Sequence, residues 1–123
     1  MRSPEDRREF YRIEYPERGR PTIRAGDVSG TVLDCSERGV RYVADGRPKV
    51  ARGNGLAAQI RFSDGSVIQI RGMVTRVEGS EVCVRVFSPG ISLGLILSEQ
   101  RRMRALQRVL STTTPPAMTN TTL

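Results

Sequence analysis

From residue 21 onward the chain alternates apolar and polar positions in short runs, and glycine, aspartate or serine closes each run. The alternation marks strands at 21–25, 29–34, 39–44, 55–62, 67–77 and 81–87. Successive strand side chains point to opposite faces, so Val82, Val84 and Val86 share one face of the last run and Cys83, Arg85 and Phe87 the other. Ser63-Asp64-Gly65 and Glu78-Gly79-Ser80 supply hairpin turns, and residues 45–54, rich in Gly, Pro, Lys and Arg, read as a surface loop. Gly72 interrupts the fifth run and predicts a kink or bulge there. Six short, half-buried strands leave unpaired edges unless the sheet closes on itself. The pattern therefore predicts a six-stranded antiparallel β-barrel.

The period changes after the last strand. Between residues 98 and 110, Met103, Leu106 and Leu110 recur at i, i+3 and i+7, while Arg101, Arg104 and Arg108 form a separate basic stripe. This predicts an amphipathic helix with its apolar face on the barrel and its arginines in solvent, Ser98 as N-cap and Glu99 in the first turn. The fold class is thus all-β with a C-terminal helix. Residues 1–18 are charged and broken by Pro4 and Pro16, with Phe10, Tyr11, Ile13 and Tyr15 as their only sizeable apolar groups. They read as a basic arm that docks rather than as a core element. Residues 111–123, STTTPPAMTNTTL, have two prolines and almost no core-forming groups, which predicts a disordered tail. The organisation is then arm (1–18), barrel plus helix (19–110) and tail (111–123).

At 123 residues the chain has the size of one domain, and with three Tyr, three Phe and no Trp its core must be mostly Val, Ile and Leu, which favours strands. A net charge of +7 implies an anionic partner without distinguishing nucleic acid, nucleotide or acidic protein. Lys49 is the sole lysine, so the positive charge is guanidinium, which recognises phosphate and the guanine edge better than ammonium does. The absence of histidine removes the commonest general base and metal ligand, so neither a catalytic residue nor a metal site is expected. Cys35 and Cys83 form no CxxC and read as free, buried thiols in a reducing cytosol. A charged beginning without an apolar stretch, and no window long enough to span a bilayer, predict a soluble cytoplasmic protein.

Two segments carry the chemistry. RREFYR at 7–12 sets Arg8 and Arg12 four residues apart, and DCSERG at 34–39 sets Asp34, Ser36 and Gly39 at a strand end. Extended, the two arginines would be separated by roughly 13 Å; as a helical pair they would be close neighbours. A guanidinium forks onto phosphate oxygens or onto guanine O6 and N7. Asp34 can accept from guanine N1–H and N2–H₂, Ser36 can contact base or phosphate, and Gly39 permits a turn or a close backbone approach.

Together these segments resemble the two-part signature of the PilZ domain family, RxxxR followed by D/N-x-S-x-x-G. The resemblance extends to SGTVLDCSERGVRYVA (29–44) and GMVTRVEGSEVCVRVF (72–87), which are similar to the family's strand–turn–strand unit and closing hairpin, and to EQRRMRALQRVL (99–110), similar to its C-terminal helix. One departure is Cys83, where the family often has a small residue, usually glycine, before a Val-Arg-Phe run; Val86 also intervenes before Phe87. The resemblance implies a receptor, not an enzyme, whose ligand is the second messenger cyclic di-GMP, bound through Arg8, Arg12, Asp34, Ser36 and Gly39. It further implies that binding repositions the arm and alters contact with an effector protein of a motility, secretion or polysaccharide-synthesis system. Arg7, outside the motif, would add a third guanidinium for an intercalated dimer of the ligand, giving two molecules per protomer. Two other readings stand beside this one. A basic barrel that binds nucleic acid would need exposed stacking aromatics, but Tyr42, Phe62 and Phe87 are expected in the core, so nucleic acid is not the expected partner. A ligand-free protein-interaction module would keep the fold and bind no nucleotide.

Overall fold

The computed structural model describes residues 12–113, with side chains described from 12 to 109. Its elements are β1 (Ile13–Glu14), β2 (Thr22–Ala25), β3 (Val28–Ser36), β4 (Gly39–Ala44), β5 (Gly55–Arg61), β6 (Val67–Glu78), β7 (Glu81–Val86) and α1 (Leu93–Thr113). β2, β3, β4, β7, β6 and β5 pair in that order, each antiparallel to the next, and β5 returns to β2. That is the closed six-stranded barrel the alternation predicts. β1 is a seventh strand, pairing Ile13 with Cys35 and Glu14 with Asp34 along the far end of β3.

Strict alternation fills the barrel. Leu56, Ala58 and Ile60 of β5 point inward between exposed neighbours, and Val82, Val84 and Val86 of β7 point inward between exposed or half-buried ones, as their spacing requires. Tyr42 and Phe62 are the largest side chains of this interior. Phe87, expected in the core, is 48% exposed, because it follows Val86 and so falls on the outward side of the pleat. Gly72 makes no bulge: pairing is continuous through Leu56↔Gly72 and Gly72↔Val86, and the register shifts instead between Val74 and Arg76 in β6 and between Val32 and Asp34 in β3. What Gly72 permits is close approach, since a Cβ there would strike the backbone carbonyl of Arg85.

The ends of the chain differ most from expectation. Ile13 and Tyr15 are 3% and 4% exposed, so this part of the arm is a core element, held by β3 on one side and α1 on the other. The helix starts five residues earlier than predicted, at Leu93, with Ser92 rather than Ser98 as its cap: Ser92 Oγ accepts from the Leu95 amide at 3.1 Å. Glu99 consequently lies in the second turn and is buried. Met103 and Leu106 do face the body of the protein, and a Cβ on Gly19 would come within 3.1 Å of both. The helix runs to Thr113, three residues into the stretch expected as tail. The side chain of Leu110, the remaining tail at 114–123, and residues 1–11 with Arg7 and Arg8 lie outside the described residues.

Gly72→Ala forces two strand backbones apart and is expected to cost about 1–3 kcal/mol, the usual penalty for overpacking. Gly39→Ala, where a Cβ would stand 3.6 Å from Ser36 Oγ and 3.7 Å from the Val84 carbonyl, meets only ordinary contact and should leave stability unchanged. Urea unfolding of the two variants distinguishes them, and equal midpoints would contradict this account of Gly72.

Candidate ligand-binding site

β3 and β4 are joined by Glu37 and Arg38 alone, with Ser36 opposite Gly39, Cys35 opposite Val40 and Asp34 opposite Arg41. The register shift before Asp34 ends the simple alternation, and Asp34, Cys35 and Ser36 are buried in succession. A buried carboxylate needs partners for its charge, and Asp34, only 3% exposed, has two. Its Oδ1 accepts from Arg12 Nη1 at 2.8 Å and its Oδ2 from Arg41 Nε at 2.7 Å. Arg41 in turn donates from Nη1 to Glu81 Oε2 at 2.9 Å. Hydrogen bonds to Glu81 and then to Asp34 raise the Arg41 guanidinium even above its ordinary pKa. Arg12 remains more than half exposed.

Arg12 and Asp34, named from two separate motifs, are thus in direct contact, and Ser36 and Gly39 sit at the turn beyond them. Arg41 escaped sequence reasoning, although a two-residue turn pairing Ser36 with Gly39 places Arg41 opposite Asp34 by register alone. Ser36 Oγ accepts only a long, 3.4 Å bond from the Arg38 amide. Gly39 has no left-handed φ, so the turn itself does not demand glycine there. The turn is held from outside by the segment leading into α1. The Arg38 carbonyl accepts from the Val86 amide at 2.9 Å, and the Glu37 carbonyl from the Ile91 amide at 2.8 Å. Gly90, at φ 82°, packs so close that a Cβ would strike the Glu37 carbonyl.

The domain holds a second buried carboxylate. Glu99 of α1, 2% exposed, accepts from Tyr15 Oη at 2.6 Å, and from Arg102 Nε at 2.9 Å and Nη2 at 2.7 Å. Tyr15 is fixed to β3 by its amide, which donates to the Leu33 carbonyl at 2.9 Å, and its hydroxyl lies 3.9 Å from Cys35 Sγ. Burial, with the neighbouring Cys35 and Glu99, raises the Tyr15 pKa. Burial above all pushes the Cys35 thiol up to about 12. Among the described residues no group of His, Cys, Asp and Glu side chains could hold a metal ion. Guanidinium donors and carboxylate acceptors in one place suit an anion that also carries N–H groups.

The profile of the PilZ domain matches residues 6–110, which spans both motifs, the barrel and most of α1. The chain belongs to the PilZ domain family. Among solved structures this PilZ domain is similar to the PilZ domain with c-di-GMP of YcgR from Escherichia coli, at 14% identity and a TM-score of 0.61 over 87% of this chain and 96% of that one. An uncharacterised Legionella protein also matches, at 14% identity and a TM-score of 0.47 over 84% of this chain and 97% of that one. No curated protein sequence matches the chain. At 14% identity the likeness to YcgR is one of fold, and it agrees with the six closed strands followed by a helix. No described helix of this PilZ domain is long and apolar enough to cross a membrane.

The raised pKa values of the buried pair set a pH dependence. In the unfolded chain Cys35 ionises near 9, whereas in the folded domain it stays neutral to about 12. Its contribution is therefore complete below about 9 and is lost as pH rises through about 12, and Tyr15 acts in the same direction. Urea midpoints should fall across that alkaline window, and the fall should be shallower in Cys35→Ala. A flat profile in the wild type would contradict the burial of these groups.

Proposed function

We propose that this PilZ domain is a receptor for cyclic di-GMP, not an enzyme. The contact between Arg12 and Asp34 at 2.8 Å carries the reading, because it brings the last residue of the RxxxR motif against the first residue of D/N-x-S-x-x-G. Guanine presents N1–H and N2–H₂ donors on one edge and O6 and N7 acceptors on another. Asp34 accepts from the first edge once Arg12 gives up Oδ1, and Arg41 keeps Oδ2 occupied, so the carboxylate is never left bare. Arg12, already largely in solvent, turns to O6 and N7 or forks onto a phosphate. Ser36 Oγ, weakly engaged, serves base or phosphate, and Gly39 leaves the approach to Ser36 open. The fold has no need of a glycine at 39, which supports a need imposed by the ligand.

Arg8 completes the pair, and Arg7 meets the second molecule of an intercalated ligand dimer. Exchange of Arg12 from protein to ligand moves the arm, and the moved arm changes contact with an effector protein of a motility, secretion or polysaccharide-synthesis system. One observation favours a nucleic-acid partner, the exposure of Phe87 beside a net charge of +7. A lone exposed ring is a poor platform for successive bases, however, and Tyr42 and Phe62 are buried.

Calorimetric titration with cyclic di-GMP, beside GTP and a short RNA, tests the assignment. Arg8→Ala and Arg12→Ala should each weaken cyclic di-GMP binding by about 1.5–3 kcal/mol, roughly 10- to 150-fold, the value of a charge-assisted hydrogen bond. Gly39→Ala should lower affinity at unchanged stability. Wild-type affinity in both arginine variants, or equal binding of RNA, would sink the proposal.

A further inference from the structure

Arg12 faces Asp34 on one side and a hollow on the other. The hollow, about 190 Å³, lies between β1 and α1 and is lined by Arg12, Glu14, Gln100, Met103, Arg104 and Gln107. Gln100, Arg104 and Gln107 stand at i, i+4 and i+7, so they form one stripe along the helix. That stripe borders the hollow, Arg104 and Gln107 from exposed positions and Gln100 from a half-buried one, and buried Met103 and Ile13 line it as well. Arg104 is exposed, as expected of the stripe it forms with Arg101 and Arg108, and it also borders this hollow.

Arg12 is engaged by Asp34, and the other polar groups of the hollow are uncommitted among the described residues. Among the described residues, Glu14, Gln100, Arg104 and Gln107 make no side-chain hydrogen bond or ion pair. Yet the walls are fixed relative to each other, because the residues next to them are tied: Tyr15, following Glu14, donates to Glu99, which precedes Gln100, at 2.6 Å. A hollow with two guanidinium groups, one carboxylate and two carboxamides, on walls already held in place, is preorganised for a ligand of mixed polarity.

We propose that this hollow is a second part of the ligand site, in which Arg104 and Arg12 grip the phosphate or the O6/N7 edge of a guanine nucleotide and Glu14 accepts from N1–H and N2–H₂. The inference rests on the cyclic di-GMP reading and extends it to the helix, which neither signature motif includes. Two cations facing one space repel until an anion or an acceptor edge lies between them, and a carboxylate there selects guanine over adenine, whose Watson–Crick edge has no adjacent N1–H and N2–H₂ donors to offer it.

The test is a titration of the full chain with cyclic di-GMP, using Arg104→Ala and Arg101→Ala. Both remove one charge from exposed positions of the same helix, but Arg101 does not line the hollow. Arg104→Ala should lose about tenfold in affinity, the effect of a lost charged hydrogen bond, while Arg101→Ala binds as the wild type does. Glu14→Ala should narrow the preference for cyclic di-GMP over cyclic di-AMP, a ratio that a purely structural role would not change. If the wild type binds and Arg104→Ala matches Arg101→Ala, this inference fails and the cyclic di-GMP assignment stands. If the wild type does not bind, both fail together.

Discussion

The carboxylate of Glu99 is the interaction on which the arrangement of this domain depends. A charge so deeply buried is tolerable only when both oxygens are hydrogen-bonded, and removal of one partner leaves a cost of several kcal/mol. Its partners come from two directions: Arg102, one turn along α1, neutralises the charge, and Tyr15, from the strand that ends the arm, reaches it through 84 residues of sequence separation. β1 has only two residues, too few for its ladder with β3 to hold it. Its position is a consequence of Tyr15 being pinned at both ends, by the Leu33 carbonyl and by Glu99. Arg12, three residues before Tyr15, inherits that position.

Asp34 has the same kind of site with the opposite use. Its two arginines come from one fixed and one adjustable source. Arg41 stands on β4 inside the barrel ladder and is anchored again by Glu81, whereas Arg12 precedes β1 and stays largely exposed. A carboxylate held by unequal partners can trade one without being abandoned by the other. The barrel keeps the rest still. The Glu37–Arg38 turn is gripped by backbone bonds to Val86 and Ile91, so the turn and the entry to α1 are parts of one assembly.

The barrel was legible because period-two alternation is a direct image of burial, and six runs of it cannot end in open edges. Asp34, Ser36 and Gly39 were legible as a turn, and Arg12 as part of a motif. Elements shorter than a period were not. Ile13–Glu14 has no alternation to read, and ISLGLIL before Ser98 has a glycine and an apolar run that resemble a connector as much as a first helical turn. Glu99 looked like a first-turn acid because acidic residues are usually solvated there; only Tyr15, remote in sequence, makes its burial sensible. Arg41 required strand register, and the role of Gly72 required knowledge of which backbone would pass beside it. Phe87 shows the limit of parity, since one residue past Val86 is enough to put an aromatic ring in solvent.

The two cysteines acquire a use from their placement. Cys35 lies under the Tyr15 hydroxyl, fully buried and neutral to about pH 12, and the reactive form of a cysteine is the thiolate. Cys83, expected to be buried, alternates with inward Val82 and Val84 and so sits on the outer face of β7, only partly covered. Alkylation of Cys35 thus requires its cover, Tyr15 included, to open, while the partly exposed Cys83 serves as an internal reference for the reagent in the same molecule. The ratio of the two labels follows how often the packing around Cys35 opens, a readout built into the native chain without any added probe.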